Sequence, residues 1–167
     1  MRDSYSAVNV GGRAPVSGST KDRPSIVIAE DSGLMSTRLQ LLLGRACELL
    51  AAVADGAALV DAVRLHRPDV IVSDIDMPRM NGFEAARSIL AEHPEARIVF
   101  ITVMHDPAII REALALGSLG FVCKRDAGAE LVLAVRAAMD GKKYLSEGCW
   151  SALDGVPGSR PNGKREH

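Results

Sequence analysis

The sequence predicts an α/β fold: a five-stranded parallel sheet with helices on both faces, doubly wound as (βα)5. Two observations predict it. Between Ser25 and Asp140, short apolar runs alternate five times with longer amphipathic segments, the pattern of strand-helix units joined by right-handed crossovers. Hydrophobic residues make up 47% of the chain but aromatics only 4%, so Ala, Val, Ile and Leu must fill the core, as in a parallel sheet buried on both sides.

Strands are expected near residues 25–29, 49–54, 69–73, 97–101 and 120–123, where β-branched and aliphatic residues cluster between turn formers. The first helix begins after Ser32, an N-cap, and repeats Leu34, Met35, Leu39, Leu42 and Leu43 at helical spacing. The second follows Asp55 and stops before Arg67-Pro68, because the residue before proline is pushed out of the helical region. The third opens at Asn81 and places Phe83, Ala86, Ile89 and Leu90 on one side. The fourth starts at Asp106-Pro107, an N-cap with proline at the first helical position, and ends at Gly117 in a left-handed cap. The last runs from Asp126 through Leu131, Val132, Val135 and Met139 to Gly141. Together these elements make a flavodoxin-like three-layer sandwich, with any ligand at the carboxyl ends of the strands.

The expected organisation is a flexible leader over residues 1–24, rich in Gly, Ser and Pro, a folded domain over 25–146, and a tail over 147–167 with no DNA-binding domain. A net charge of −1 and a pI near 6.4 supply no basic field for nucleic acid, so no direct nucleic-acid binding by this chain is expected. No apolar run is long enough to span a bilayer, and no signal-peptide core is present, which predicts a cytoplasmic protein with no membrane partner. The three cysteines, Cys47, Cys123 and Cys149, are widely spaced and read as reduced thiols.

The chemistry lies at the strand ends. The first strand delivers Glu30 and Asp31, the third Asp74, the fourth Thr102 and the fifth Lys124, so three carboxylates, a hydroxyl and an ammonium should share one cleft. Carboxylates this crowded raise one another's pKa unless a cation joins them, and a hard divalent ion with oxygen ligands, Mg²⁺, suits the set. Lys124 and Thr102 could then receive phosphoryl oxygens, which favours phosphoryl transfer to a carboxylate.

The segments AEDS at Ala29 to Ser32, DVIVSDIDMPRMNGFE at Asp69 to Glu84, IT at Ile101 and Thr102, and GFVCK at Gly120 to Lys124 closely resemble the receiver domain of two-component response regulators. The resemblance implies that Asp74 takes a phosphoryl group from a sensor histidine kinase or phosphotransfer protein. It implies that Asp31 and Asp74 hold Mg²⁺ directly, Glu30 through water, and Asp76 through its backbone carbonyl. It further implies that Lys124 binds the phosphoryl group, that Thr102 swings inward to it, and that Phe121 is the coupled switch aromatic. The output would be a surface for a partner or for homodimerisation, with autophosphorylation and slow autodephosphorylation rather than metabolic turnover. The segment from Arg125 to Ser146 is similar to receivers that precede LuxR-type helix-turn-helix domains, so an alternative is a receiver fragment of a DNA-binding transcriptional regulator.

Two positions depart from the common pattern: Arg125 follows the lysine where the family often has a proline in a cis peptide, and Val103 is bulkier than the residue many receivers carry after the threonine. An alternative of another class is a haloacid-dehalogenase-like phosphatase, whose nucleophile also sits in an Asp-x-Asp after an apolar strand. That family places its acidic metal pair after the lysine, whereas Glu30 and Asp31 come before it.

Overall fold

A computed structural model of the chain describes residues 23–103 and 106–153. In chain order the elements are β1 Ser25–Ala29, α1 Gly33–Leu43, β2 Glu48–Val53, α2 Gly56–His66, β3 Val70–Asp74, α3 Gly82–Glu92, β4 Ile98–Thr102, α4 Pro107–Leu116 and β5 Gly120–Cys123. A single 3-10 turn Lys124–Asp126 follows, then α5 Ala127–Met139, β6 Tyr144–Leu145 and α6 Glu147–Leu153. All strands pair in parallel, in the order β2-β1-β3-β4-β5-β6.

Successive side chains on a strand point to opposite faces, and that alternation divides the core in two. Ile26, Ile28, Val70, Val72, Val99, Ile101 and Val122 face α1 and α5. Val27, Ala29, Ile71, Phe100 and Phe121 face α2, α3, α4 and α6. The rings of Phe83 on α3 and Phe100 on β4 meet edge to face with centroids 5.1 Å apart. Each fully buried aliphatic or aromatic side chain here contributes about 2 kcal/mol, so the two layers outweigh any single polar contact in holding the sheet.

The caps form as the sequence signals. Ser32, Asp55, Asn81 and Asp106 each accept a hydrogen bond from a first-turn amide, and Asn81 forms a reciprocal capping box with Glu84. Arg67, before proline, leaves α2 in the left-handed region, and Gly117 ends α4 at φ 103°.

The structure corrects the sequence reading in two places. The sheet has six strands, not five: two residues of β6 pair with Gly120 and Phe121, too short a run to show a period. Residues 147–153 do not begin a tail but form α6, whose Cys149, Trp150 and Leu153 are buried with Phe121 and Ile110. Asp126 makes no side-chain cap on α5; its carboxylate instead accepts from the Gly148 amide at 2.9 Å, tying α6 down. The expected leader lies outside the described residues except for Arg23 and Pro24. Arg23 Nη2 donates to the Gly44 and Cys47 carbonyls, both at 2.8 Å, so it belongs to the folded body. Residues 154–167 likewise lie outside the described residues. The Lys124-Arg125 peptide is trans.

Candidate acidic phosphoryl site

The sheet order reverses between β1 and β3, because the chain leaving β1 returns as β2 on one side and β3 forms on the other. Diverging connections open a crevice at the carboxyl ends of those strands. Glu30 and Asp31 follow β1 directly, Asp74 ends β3, Thr102 ends β4 and Lys124 follows β5. The expected residues therefore converge on one edge of the sheet.

Lys124 is the centre of the charge network. Its Nζ lies 2.8 Å from Glu30 Oε1 and 3.0 Å from Asp74 Oδ2. Glu30 and Asp74 are almost wholly buried, at 3% and 4% exposed, while Asp31 opens to solvent. One carboxylate oxygen from each of Glu30, Asp31 and Asp74 falls within 4.8 Å of the others, a spacing one cation can bridge. Among the described residues these three acids thus face one ammonium, that of Lys124, which leaves the cluster short of positive charge.

Burial and the shortage of positive charge both act on the Asp74 carboxyl. Burial pushes its carboxyl up to about 6 from an ordinary 3.8, with the charge of Glu30 adding to the rise. The Lys124 hydrogen bond and charge and the Ile75 amide pull the other way but do not win. For Lys124, burial works against the charged ammonium, yet the hydrogen bonds and charges of Glu30 and Asp74 outweigh it and hold its pKa above the usual value.

Backbone amides orient both buried acids. Ser32 N–H donates to Glu30 Oε2 at 3.0 Å, and Ile75 N–H donates to Asp74 Oδ1 at 2.7 Å, with Asp76 N–H at 3.4 Å on the same oxygen. No residue type announces these donors, so reading the sequence missed them; the only signal is that each lies one or two residues past its acid. The Asp76 side chain is exposed and its carboxylate is outside the three-acid group. Thr102 is buried at 1% exposure, registered against Cys123 beside Lys124, and Val103 beyond it is exposed. Phe121 is fully buried in the layer that faces α4 and α6.

The loop from Ile75 to Asn81 is pinned at both ends. Gly56 N–H donates to the Met80 carbonyl at 2.9 Å, and Gly82 N–H donates to the Ile75 carbonyl at 2.8 Å. A Cβ on Gly82 would collide with the Asp74 carbonyl oxygen, and one on Gly56 with that of Met80, so glycine is what permits each close approach. Midway, Arg79 adopts φ 67° and its Nη2 pairs with Asp55 Oδ2 at 2.8 Å.

Residues 26–136 match the family model described as the response regulator receiver domain. The oxygen regulatory protein NreC of Staphylococcus epidermidis is 32% identical over 123 residues, covering 72% of this chain and 56% of that protein. Protein CcdB of Bacillus subtilis is 31% identical over 115 residues, covering 68% of this chain and 96% of that protein. Among solved structures, a LuxR-family two-component response regulator from Aurantimonas sp. SI85-9A1 superposes with a TM-score of 0.75 at 27% identity, covering 78% of this chain and 95% of that one. The chain thus spans little more than half the length of NreC. No described helix is long and apolar enough to cross a membrane.

Proposed function

The chain belongs to the receiver-domain family of two-component response regulators, and from that premise we propose that Asp74 is its phosphoacceptor, with Lys124 and Thr102 serving the phosphoryl group. The observation that supports this most is the shared contact of Lys124 Nζ with buried Asp74 and Glu30 at the mouth of the β1/β3 crevice. In the transfer, an Asp74 carboxylate oxygen forms the new bond to phosphorus as the phosphorus-nitrogen bond of a donor phosphohistidine breaks; the imidazole leaves with the electron pair and takes up a proton. Asp74 must be ionised to attack, and the Ile75 amide and Lys124 both favour that form. Lys124, now on Asp74 Oδ2, would pass to a phosphoryl oxygen, and Thr102 would add a hydrogen bond from the neighbouring strand end.

The donor set fits a divalent cation: all-oxygen ligands, two buried and one exposed, with an excess of negative charge. We assign Mg²⁺ to it, held by Asp31 and Asp74, by Glu30 through water, and by the Asp76 carbonyl. Bound there, it would neutralise the acids and the incoming phosphoryl oxygens. The partners on this reading are a sensor histidine kinase or phosphotransfer protein as donor, and an output partner or second copy that reads the changed surface around Phe121. A cytoplasmic location goes with it. The likeness of residues 125–146 to receivers that precede LuxR-type helix-turn-helix domains favours a second reading, in which the same switch serves as the input half of a DNA-binding regulator.

Incubation with acetyl phosphate and Mg²⁺, read by intact mass, should add one phosphoryl group to the wild-type chain and none to Asp74→Asn. Full labelling of that variant would overturn the assignment. Steady turnover of an aryl phosphate would favour the phosphatase class instead.

A further inference from the structure

We propose that Cys123 and Cys149 form a redox-active dithiol, which a hydroperoxide oxidises to a disulfide fastening α6 to β5, the strand that leads into Lys124. The two sulfurs lie 3.2 Å apart, and both residues are fully buried. A disulfide bond of about 2.05 Å therefore needs the sulfurs to close by roughly an ångström.

The surroundings form a built pocket. Ser146 Oγ accepts from the Cys123 amide at 3.0 Å and lies 3.5 Å from Cys149 Sγ. Gly148 leaves room for the approach: a Cβ there would come within 3.0 Å of Cys123 Sγ and 2.8 Å of Asp126 Oδ2, so those side chains would have to shift. Cys47 provides an internal contrast. It is buried in the opposite layer, against α1 and α5, on the far side of the sheet from the pair.

The two thiols differ. Hydrogen bonding from Cys149 lowers the pKa of Cys123 and outweighs its burial, with Ser146 helping. The same partner, together with burial, raises that of Cys149. Cys123 is thus the attacking sulfur and Cys149 the resolving one. In the first step the Cys123 thiolate forms a sulfur-oxygen bond as the peroxide oxygen-oxygen bond breaks; hydroxide leaves and takes up the proton Cys123 released, giving water. In the second, Cys149 sulfur attacks Cys123 sulfur; the sulfur-oxygen bond breaks, and the leaving hydroxide departs as water with the Cys149 proton. Two thiols are oxidised and one peroxide is reduced to two waters. Because both sulfurs are buried, access for hydrogen peroxide requires the seven-residue α6 to lift from the sheet.

The consequence reaches the strand edge. Cys123 pairs in register with Thr102 and precedes Lys124, while α6 covers the apolar layer containing Phe121. Oxidation would lock that cover in place. The chemistry itself does not depend on phosphoryl acceptance.

The test is to treat the full chain with hydrogen peroxide, alkylate remaining thiols in denaturant, and map unreduced peptides by mass. The expected result is a loss of two hydrogens, a Cys123–Cys149 cross-linked peptide, and alkylation of Cys47 alone; a Cys47→Ser chain should behave the same. Cys149→Ser should stop at a sulfenic acid on Cys123, trapped by dimedone. Alkylation of all three cysteines after peroxide, a cross-link through Cys47, or oxygen addition to the wild-type chain without a cross-link would each overturn the proposal. The wild-type map decides even where a variant fails to fold.

Discussion

Glu130 and the pair Glu30 and Asp74 are carboxylates buried in the same protein, yet they are held in opposite ways. Glu130 on α5 takes the Tyr144 hydroxyl at 2.7 Å on one oxygen and the Glu147 amide at 3.0 Å on the other, both neutral donors. Glu30 and Asp74 share one lysine and press against each other and Asp31. The first arrangement is a fastener that joins α5 to β6 and α6. The second is a charged cluster short of a cation. Burial of an acid is therefore not a mark of function by itself; crowding of like charge around a single counter-ion is the more discriminating sign.

Three experiments bear on the contrast. Lys124→Ala removes the ammonium both acids share, and leaving buried charge uncompensated should cost about 3 kcal/mol at neutral pH without divalent ion. Urea unfolding should show the loss shrinking in mild acid, where Asp74 takes up a proton; an unchanged midpoint would show that the acids are not crowded. Next in size is the pH dependence. Folded Asp74 holds its proton up to about 6 whereas an ordinary aspartate loses it near 3.8, so its contribution to stability is present below the ordinary value and lost as pH rises through about 6. In chelator, unfolding free energy should fall by about 2 kcal/mol across that window after discounting for solvent screening, and Mg²⁺ should restore it at the upper end. Asp74→Asn should flatten the profile and, without divalent ion near neutral pH, melt no lower than wild type. The smallest effect is expected at the fastener: Glu130→Gln should cost about 1 kcal/mol through one misdirected amide, with phosphoryl labelling by acetyl phosphate intact. Loss of labelling there would erase the distinction between the two acid sites.

The parts of this fold that were legible are those with a local cause. Ser32, Asp55, Asn81 and Asp106 announce helix starts because each must satisfy amides a few residues ahead, and all do. The convergence of Glu30, Asp31, Asp74, Thr102 and Lys124 was legible because a parallel sheet places every strand end on the same edge. What was missed depends on long-range packing. β6 is two residues long, and α6 is seven residues with Gly148 near its start, so neither carries a period of its own. The Cys123 and Cys149 contact follows from those two elements and was invisible with them. The backbone donors Ser32, Ile75 and Asp76 were hidden for another reason, since any residue but proline offers the same amide.

The pinned loop after β3 bears on speed. With Met80 tied to the start of α2 and Ile75 to the start of α3, the segment between Asp74 and Asn81 has little freedom left to lose when a donor arrives. Its ordering is completed during folding and need not be repeated at each encounter. On the proposed acceptor role of Asp74, the waiting time for transfer should then be governed by diffusion, charge attraction and orientation, and stiffening the loop further should leave the rate unchanged.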